Sequence, residues 1–552
     1  MDKTVLIGSD IFDEFIQDDC YYVDKTEIIY ELAAKMKNKV TLFTRPRRFG
    51  KSLTMSMMES FFDIRRSGNK AFEELKIYKD HPDFCETWMH KYPTIMISLK
   101  DAEGGSFKMA YGKLKIEIAN LCIKHAYLAN KEGVNPADRD RFMRLQSSTA
   151  RDEDIQYSLK TIMSMMNAAY GKPAILIIDE YDVPLAKAHE NGYYSEMLDV
   201  IRGIMSTSLK SNEFLKFAVV TGCLRIPKES IFTGVNNFAS YSVLDEEFSE
   251  YFGFTQDEIS DLLKYYGLED KLALIQKWYD GYVFGKTEIY CPWDAMNYVA
   301  ALRRNRDAVP KPYWENTSGN GAIKAFFDLE GEDITDQFET LLNGGTITED
   351  VTNALTYEEA YTSINNLWSI LLMTGYVTAV GQEGGSKSVR LRIPNLEISL
   401  LFQRTVADHF KNTVDQAQVQ ELMEALWNGD EDRSSEILSD LLFETISYMD
   451  YHENYYHAFI AGIFTGRGYI PKSNKEQGLG RPDVDLKDRR NRRMMIIECK
   501  KSESEARMDF WCDEGIRQII DNKYAGNTYG FRKVLCYGVS FFQKSAKVKL
   551  MR

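Results

Sequence analysis

Three groups of residues in this chain have the types and spacing to act on phosphates. The first is Arg45-Pro46-Arg47-Arg48-Phe49-Gly50-Lys51-Ser52. It follows the apolar, β-branched run Val40-Thr41-Leu42-Phe43-Thr44 and precedes Leu53 to Phe62, a stretch without Gly or Pro that reads as a helix. Strand, Gly-Lys-Ser, helix is the order in which a P-loop holds a nucleotide. Backbone N–H groups and the positive end of the helix meet the anion, Lys51 reaches the outer phosphates, and the Ser52 hydroxyl ligates magnesium. Arg47, Arg48, Phe49, Gly50 and Leu53 are expected around the same phosphates. The usual pattern begins with Gly six residues before the Lys, and here that position is Arg45, followed by Pro46. Only the second half of the motif is present, and a bare Gly-Lys-Ser also arises by chance.

The second group is Ala174-Ile175-Leu176-Ile177-Ile178-Asp179-Glu180, an apolar strand ending in two carboxylates, as a Walker B strand does. Asp179 is expected to hold magnesium, directly or through water, and Glu180 to polarise the attacking water. The competing reading is a core strand whose terminal acids are solvated. Phe217-Ala218-Val219-Val220-Thr221 is a further apolar strand with a polar end. Its Thr221 is placed to sense the terminal phosphate, and Arg225 to face the phosphates as a cation.

The third group lies near the C-terminus. Arg481-Pro482-Asp483-Val484-Asp485-Leu486 reads as a strand with Asp483 and Asp485 on one face, and Met494 to Lys500 as a strand with Glu498 and Lys500 on one face. If the two pair as a hairpin, one carboxylate from each converges with one lysine. That is the constellation of a metal-dependent phosphodiesterase: Asp483 and Glu498 hold magnesium, and Lys500 orients water or steadies developing charge. Alternating charges on a solvent-facing strand are the competing reading. The Arg-rich turn between the strands is either a soluble hairpin tip or a phosphate contact. Upstream, Glu453 to Phe464 reads as an amphipathic helix with Glu453 in its first turn.

These residues need elements to position them. Pro93 to Leu99 reads as another sheet strand, and the strands are separated by helical segments, which predicts a parallel sheet wound on both faces with ligand at its carboxyl end. Tyr21 to Thr26 leads into a helix expected to lie against the nucleotide base, unless Asp24 or Thr26 serves only to cap it. Helical segments follow from Asp257 to about Trp278 and from Pro292. Between them lies an aromatic turn, Tyr279 to Gly285, and residues from about 320 to 435 are helical with one short strand pair, a mix that suits a lid or a winged-helix-like module.

With 552 residues the chain is too long for one core, and the reading divides it at 1–240, 241–435 and 436–552. Hydrophobic content of 44% and charged content of 27% are those of an ordinary globular chain, and 13 Pro with few Ser/Gly runs leave no long linker. Met1-Asp2-Lys3-Thr4 lacks the layout of a signal peptide and no apolar run approaches a membrane span, so the expectation is a cytoplasmic protein without membrane contact. Eight Cys without a C-x-x-C pair point to reduced core thiols rather than zinc or disulfides. The net charge of −14 argues against coating by nucleic acid over the whole surface and leaves a local basic groove open.

Taken together, the chain resembles over nearly its whole length a bacterial family of AAA-ATPase-like proteins with a C-terminal PD-(D/E)XK nuclease-superfamily domain. The resemblance rests on Tyr22-Val23-Asp24-Lys25-Thr26, Arg45 to Ser52, Ile178-Asp179-Glu180-Tyr181-Asp182, Thr221-Gly222 with Arg225, Glu229-Ser230-Ile231-Phe232, Tyr313 to Ser318, Pro482-Asp483, Glu498-Cys499-Lys500, and Gln518 with Tyr524. It implies an α/β chain: an AAA-like P-loop NTPase domain with a parallel sheet, a helical or winged-helix-like middle region, and a C-terminal α/β restriction-endonuclease-like domain. In such proteins the missing first glycine of the loop is normal. By the same resemblance Glu453 matches the superfamily's helical acid, Asp483 and Glu498 its metal carboxylates, Lys500 its catalytic lysine and Gln518 the helix residue that follows them. The implied cofactors are ATP and Mg2+, and the implied partner is DNA or RNA, with a homo-oligomer left open. The function expected is ATP binding and hydrolysis coupled to magnesium-dependent cleavage of nucleic acid. The alternative is a regulatory nucleotide switch whose nuclease-like domain binds a partner without cutting. A scaffold without chemistry is disfavoured, because clustered buried acids are costly to keep without use.

Overall fold

The computed structural model describes the chain apart from residues 1, 148, 227–230, 233–234, 236, 315–322, 324–334, 361, 383–387, 414, 446–455, 457–458, 461–462, 465–482, 489–490 and 525–529. It divides into two compact units, Met1–Thr317 with Thr348–Glu397, and Ser318–Ile347 with Ile398–Arg552. Among the described residues no helix is long and apolar enough to cross a membrane.

The first unit is built on five parallel strands: β1 (Val40–Thr44), β2 (Thr94–Ser98), β3 (Ala174–Asp179), β4 (Leu215–Gly222) and β5 (Phe238–Tyr241), in the spatial order β2-β3-β4-β1-β5. β1 and β3 are buried at every residue, as unbroken apolar runs covered on both faces must be. Helix α1 (Lys51–Phe62) leaves the end of β1 and buries Met55, Met58 and Phe62, so its start is anchored at the carboxyl edge of the sheet. β1 and β3 both border β4, so the loop after β1 and the acids after β3 face the same edge across the end of β4. The predicted strands at β1 to β4 are present. β5 was not foreseen, because its four residues are all half-buried and lack the apolar run of a central strand.

Arg45 accounts for the missing glycine. It is fully buried and hydrogen-bonds to the carbonyl oxygens of Thr44 (3.0 Å), Tyr241 (2.9 Å) and Phe248 (3.3 Å), with its guanidinium over the rings of Phe252 and Phe284. The side chain points into the protein and pins β1 to β5. Burial with little countercharge lowers its pKa to about 9.

In the rest of this unit, the expected helical stretch after Asp257 is two helices, Gln256–Tyr266 and Leu272–Tyr279, split where Gly267 takes a positive φ. The aromatic turn forms a hairpin of Tyr282–Phe284 with Thr287–Ile289. The predicted strand pair is the antiparallel pair Thr378–Gln382 and Ser388–Arg392.

The second unit contains a four-stranded sheet, β6 (Val484–Asp488), β7 (Arg493–Lys501), β8 (Lys533–Phe542) and β9 (Ser545–Leu550), in that spatial order, with β6–β7 antiparallel, β7–β8 parallel and β8–β9 antiparallel. Alternation along β7 sorts its side chains. Met495, Ile497 and Cys499 join a core with Leu441, Tyr456, Phe459 and Ile463, while Met494 and Ile496 pack with Ile519 of helix α2 (Met508–Asp521). The helix meets the sheet through two glycines. A Cβ on Gly538 would lie 2.0 Å from Cys512 O, and one on Gly515 would lie 3.2 Å from Glu498 O.

Restoring the usual glycine at the start of the loop is expected to damage the fold. Arg45→Gly removes donors to three buried carbonyls and leaves a cavity, at a cost of roughly 3 kcal/mol or more. Thermal unfolding of the full chain should show a lower transition for the variant, and an unchanged transition would contradict the structural role of Arg45.

Candidate functional site

The loop between β1 and α1 carries its strain at its end: Arg48 and Gly50 both adopt positive φ, 74° and 84°. Glycine tolerates this freely, while Arg48 is held with its guanidinium 4.1 Å above the centre of the Trp293 ring. Phe49 is buried against Tyr282 and Phe284. Lys51 is 3% exposed and lies 3.1 Å from each of the carbonyl oxygens of Arg45 and Pro46. Its Nζ is 3.3 Å from Glu180 Oε1 and 3.8 Å from Cys223 Sγ. Burial opposes the ammonium, but Cys223, Glu180, Asp179 and Asp182 around it outweigh that and hold its pKa above the ordinary lysine value.

Ser52 Oγ donates to one oxygen of Asp179 at 2.6 Å, and Thr221 Oγ1 donates to the other. Asp179 is buried behind Ser52, and its pKa is raised by that burial and by Glu180 beside it. Lys51, Ser52, Asp179, Glu180 and Thr221, drawn from three strand ends, are therefore one connected group. A cavity of about 580 Å3 opens on Lys51, Ser52 and Glu180, while Asp179 and Thr221 are buried behind them and do not line it. Its walls include Arg47, Arg48, Phe49, Gly50, Lys51 and Ser52 on the loop, with Leu53, Lys100 and Glu180 nearby, and the apolar side chains of Leu6, Tyr22, Phe254, Trp293 and Met296. The volume and the mixed lining are those of a small-molecule site. Arg225 stands elsewhere: its backbone bridges Ala354, its guanidinium lies 5.9 Å from the Phe238 ring centre, and it does not line the cavity.

At the N-terminal side, Asp24 caps a helix other than the expected one, Lys76–Asp80. Its Oδ1 accepts from the Thr26 amide and hydroxyl, and its Oδ2 accepts from the Lys76 amide at 2.7 Å. Tyr22, Val23 and Lys25 line the cavity, whereas no residue of the expected helix, Glu27–Tyr30, does, and that helix has no side-chain cap at Thr26.

In the second unit, β6 starts at Val484, which is paired with Ile497, so Asp483 sits one register step beyond, opposite Glu498. The Asp483 amide lies 3.4 Å from Glu498 Oε2, the Cys499 amide donates to Asp483 Oδ2 at 2.8 Å, and Lys500 Nζ is 3.5 Å from Glu498 Oε1. The two carboxylates and the lysine are thus adjacent. Glu498 is 1% exposed, and burial, followed by the charge of Asp483, raises its pKa to about 8, with Lys500 opposing. Two hard oxygen donors held together against their mutual repulsion fit a divalent cation such as magnesium, which would relieve that repulsion. Asp485, on the same face as Asp483, is paired with Lys487 at 2.7 Å. Gln518 lies on α2 one turn beyond Gly515, the point where α2 touches the backbone of Glu498. Glu453, Arg481 and Pro482 lie outside the described residues.

Sequence reasoning gave no role to Trp293, which packs under Arg48, or to Asp182, whose Oδ2 accepts from the amides of Cys223 and Leu224 and the hydroxyl of Tyr357. Asp182 was visible as the last residue of an acidic cluster, but no spacing rule connects it to residues 223, 224 and 357.

A parallel sheet of order β2-β3-β4-β1-β5 with Lys51, Ser52 and Asp179 at its carboxyl edge is the architecture of an AAA-like P-loop NTPase domain, and the second unit adds a mixed sheet with an Asp-Glu-Lys cluster. Residues 6–232 match the model of a family described as predicted AAA-ATPase, and residues 451–550 match that of the PD-(D/E)XK nuclease superfamily. The chain is an AAA-ATPase-like protein with a C-terminal PD-(D/E)XK nuclease-superfamily domain. It is also similar to a protein of Azotobacter chroococcum mcd 1 described as an uncharacterized protein in the vnfD 5' region, with 27% identity over 409 residues, 72% of this chain and 68% of that protein.

The raised pKa of Glu498 is a stability statement. The folded chain keeps the proton on Glu498 to higher pH than the unfolded chain does, so stability present below the ordinary glutamate pKa of 4.5 is lost as pH rises through about 8. Glu498→Gln removes this loss. Without added metal the variant is expected to gain on the wild type progressively as pH rises between those values. Paired thermal melts across that range would show a constant difference if Glu498 were not held in a charge-averse setting.

Proposed function

We propose that the first unit binds and hydrolyses magnesium-ATP and that the second cleaves phosphodiester bonds in nucleic acid. The observation that supports the first half is a cavity large enough for a nucleotide, lined by Lys51, Ser52 and Glu180, with Asp179 hydrogen-bonded behind Ser52. Lys51 sits at the start of α1, where the first helical N–H groups have no partner inside the helix and the dipole favours an anion. A bound triphosphate would replace Glu180 as the partner of Lys51 and free that carboxylate to orient water. Ser52 and Asp179 would hold magnesium, which when bound neutralises charge on the phosphate oxygens. Arg47 and Arg48 add cationic charge at the mouth, and Trp293 and Phe254 offer apolar surface for the base.

In the second unit Asp483 and Glu498 would hold the metal, and Lys500 would orient a water or steady charge on the phosphate, with Glu453 and Gln518 completing the site. DNA and RNA are both substrates of the right class. In this reading the domain boundaries fall near residues 240 and 435, and nucleotide turnover controls the nuclease-like domain.

Lys51→Ala is expected to weaken ATP binding by about 100-fold, through loss of a buried charge-assisted contact. Glu180→Gln should bind magnesium-ATP within a few-fold of wild type while turnover falls by about 100-fold or more, because only water activation is lost. Calorimetric titration and phosphate release separate the two, and equal ATP binding by wild type and Lys51→Ala would refute the loop assignment.

For the second unit, Asp483→Ala should remove cleavage of labelled DNA and RNA together with magnesium binding. Lys500→Ala should leave metal bound and slow cleavage by about 100-fold. ATP hydrolysis should survive both. A wild-type chain that cuts neither polymer in magnesium or manganese would leave the nucleotide-switch alternative standing.

A further inference from the structure

Glu180 occupies a costly backbone conformation. Its φ is +54°, in the left-handed region that side-chain-bearing residues rarely adopt. The turn that contains it is held from the next strand. The Glu180 and Tyr181 amides point to Thr221, to Oγ1 at 3.4 Å and to the carbonyl oxygen at 3.0 Å respectively. The buried Tyr181 hydroxyl donates to Leu224 O at 2.8 Å and accepts from the Ile226 amide at 3.1 Å.

The strongest clamp is Asp182, which is 1% exposed. Its Oδ2 accepts from the amides of Cys223 and Leu224, both at 2.9 Å, and from the hydroxyl of Tyr357 at 3.3 Å. Its Oδ1 has no hydrogen-bond partner among the described residues and faces Gly222, where a Cβ would lie 2.6 Å away. Tyr357 opens the short helix Tyr357–Ala360, packs beside His189 and Tyr194, and follows Ala354, which bridges Arg225. Three separate stretches of chain, 179–182, 221–226 and 354–360, meet on one carboxylate. Keeping a charge there is expensive: burial first, then the neighbouring Glu180, raises its pKa to about 6. An apolar or amide residue would pack at lower cost if packing were the only task.

We infer that Asp182 and Tyr357 are positioning residues for Glu180. The Asp182 carboxylate locks the strained turn onto the end of β4, and its negative charge turns Glu180 away from itself and toward Lys51 and the cavity. The Tyr357 hydroxyl completes the lock, so the 354–360 segment is part of the hydrolytic apparatus, although it contributes nothing to the cavity wall. This rests on the hydrolysis proposed above.

The test is a double-mutant cycle in the full chain with Asp182→Asn and Tyr357→Phe, reading kcat and KM for magnesium-ATP and amide exchange in peptides covering 179–184. Each single variant should lower kcat, about tenfold for Asp182→Asn and severalfold for Tyr357→Phe, with KM within twofold of wild type and faster exchange of the turn. In the Asp182→Asn background Tyr357→Phe should have no further effect. Unchanged kcat in both single variants, a matching rise in KM, or effects that multiply in the double variant would overturn the inference. If the wild type turns over no ATP, the hydrolysis reading fails by itself and the lock is judged on exchange. Faster exchange in both single variants then supports it, and wild-type exchange overturns it.

Discussion

The first unit is arranged around a single electrostatic problem. Asp179, Glu180 and Asp182 stand within four residues at the end of one apolar strand, two of them almost without solvent, and Lys51 is the ammonium among them. Carboxylates this close raise one another's pKa unless each finds its own donors. The structure separates them by giving each a different partner. Asp179 takes the hydroxyls of Ser52 and Thr221, Glu180 takes Lys51, and Asp182 takes two amides and a tyrosine. The left-handed backbone at Glu180 is the geometric cost of pointing successive acids in different directions. β3 must lie beside β4 for this to work, because β4 supplies Thr221 and the amides that follow it.

The second unit meets the same problem with fewer parts. Asp483 and Glu498 come together because an antiparallel register places them opposite each other, and Lys500 follows on the same face two residues later. As with Asp179 and Asp182, the donors do not fully offset burial and the neighbouring acid, and Glu498 keeps a raised pKa. The glycines at 515 and 538 let α2 approach the backbone behind Glu498, which brings the helix bearing Gln518 to the sheet.

The buried Arg45 shows how a motif departure can be structural. In the usual P-loop a glycine occupies this position, and the sequence alone reads the arginine as a weakening of the match. In the fold its guanidinium lies off the cavity, binds three carbonyl oxygens and sits over two aromatic rings. The half of the loop that faces the cavity keeps Gly50, Lys51 and Ser52.

Much of this was legible in the chain because strands buried on both faces must be unbroken apolar runs, and polar residues that end them must lie at the sheet's edge. Val40–Thr44 and Ala174–Asp179 therefore announce themselves, with Lys51, Ser52, Asp179 and Glu180 at their ends. The alternation around Asp483, Glu498 and Lys500 likewise puts one face of a hairpin in view. Only the tertiary structure decided the rest. β5 lacks an apolar signature because it is an edge strand, held partly by Arg45. Arg225, a phosphate-facing cation by sequence, lies by Ala354 and Phe238 because the chain turns after Gly222. Asp182 and Tyr357 are 175 residues apart and meet only when β4 and the 354–360 segment dock. Local residue order determines which side chains leave a strand end together. Which distant groups answer their charge is set by packing, and no spacing in the sequence encodes it.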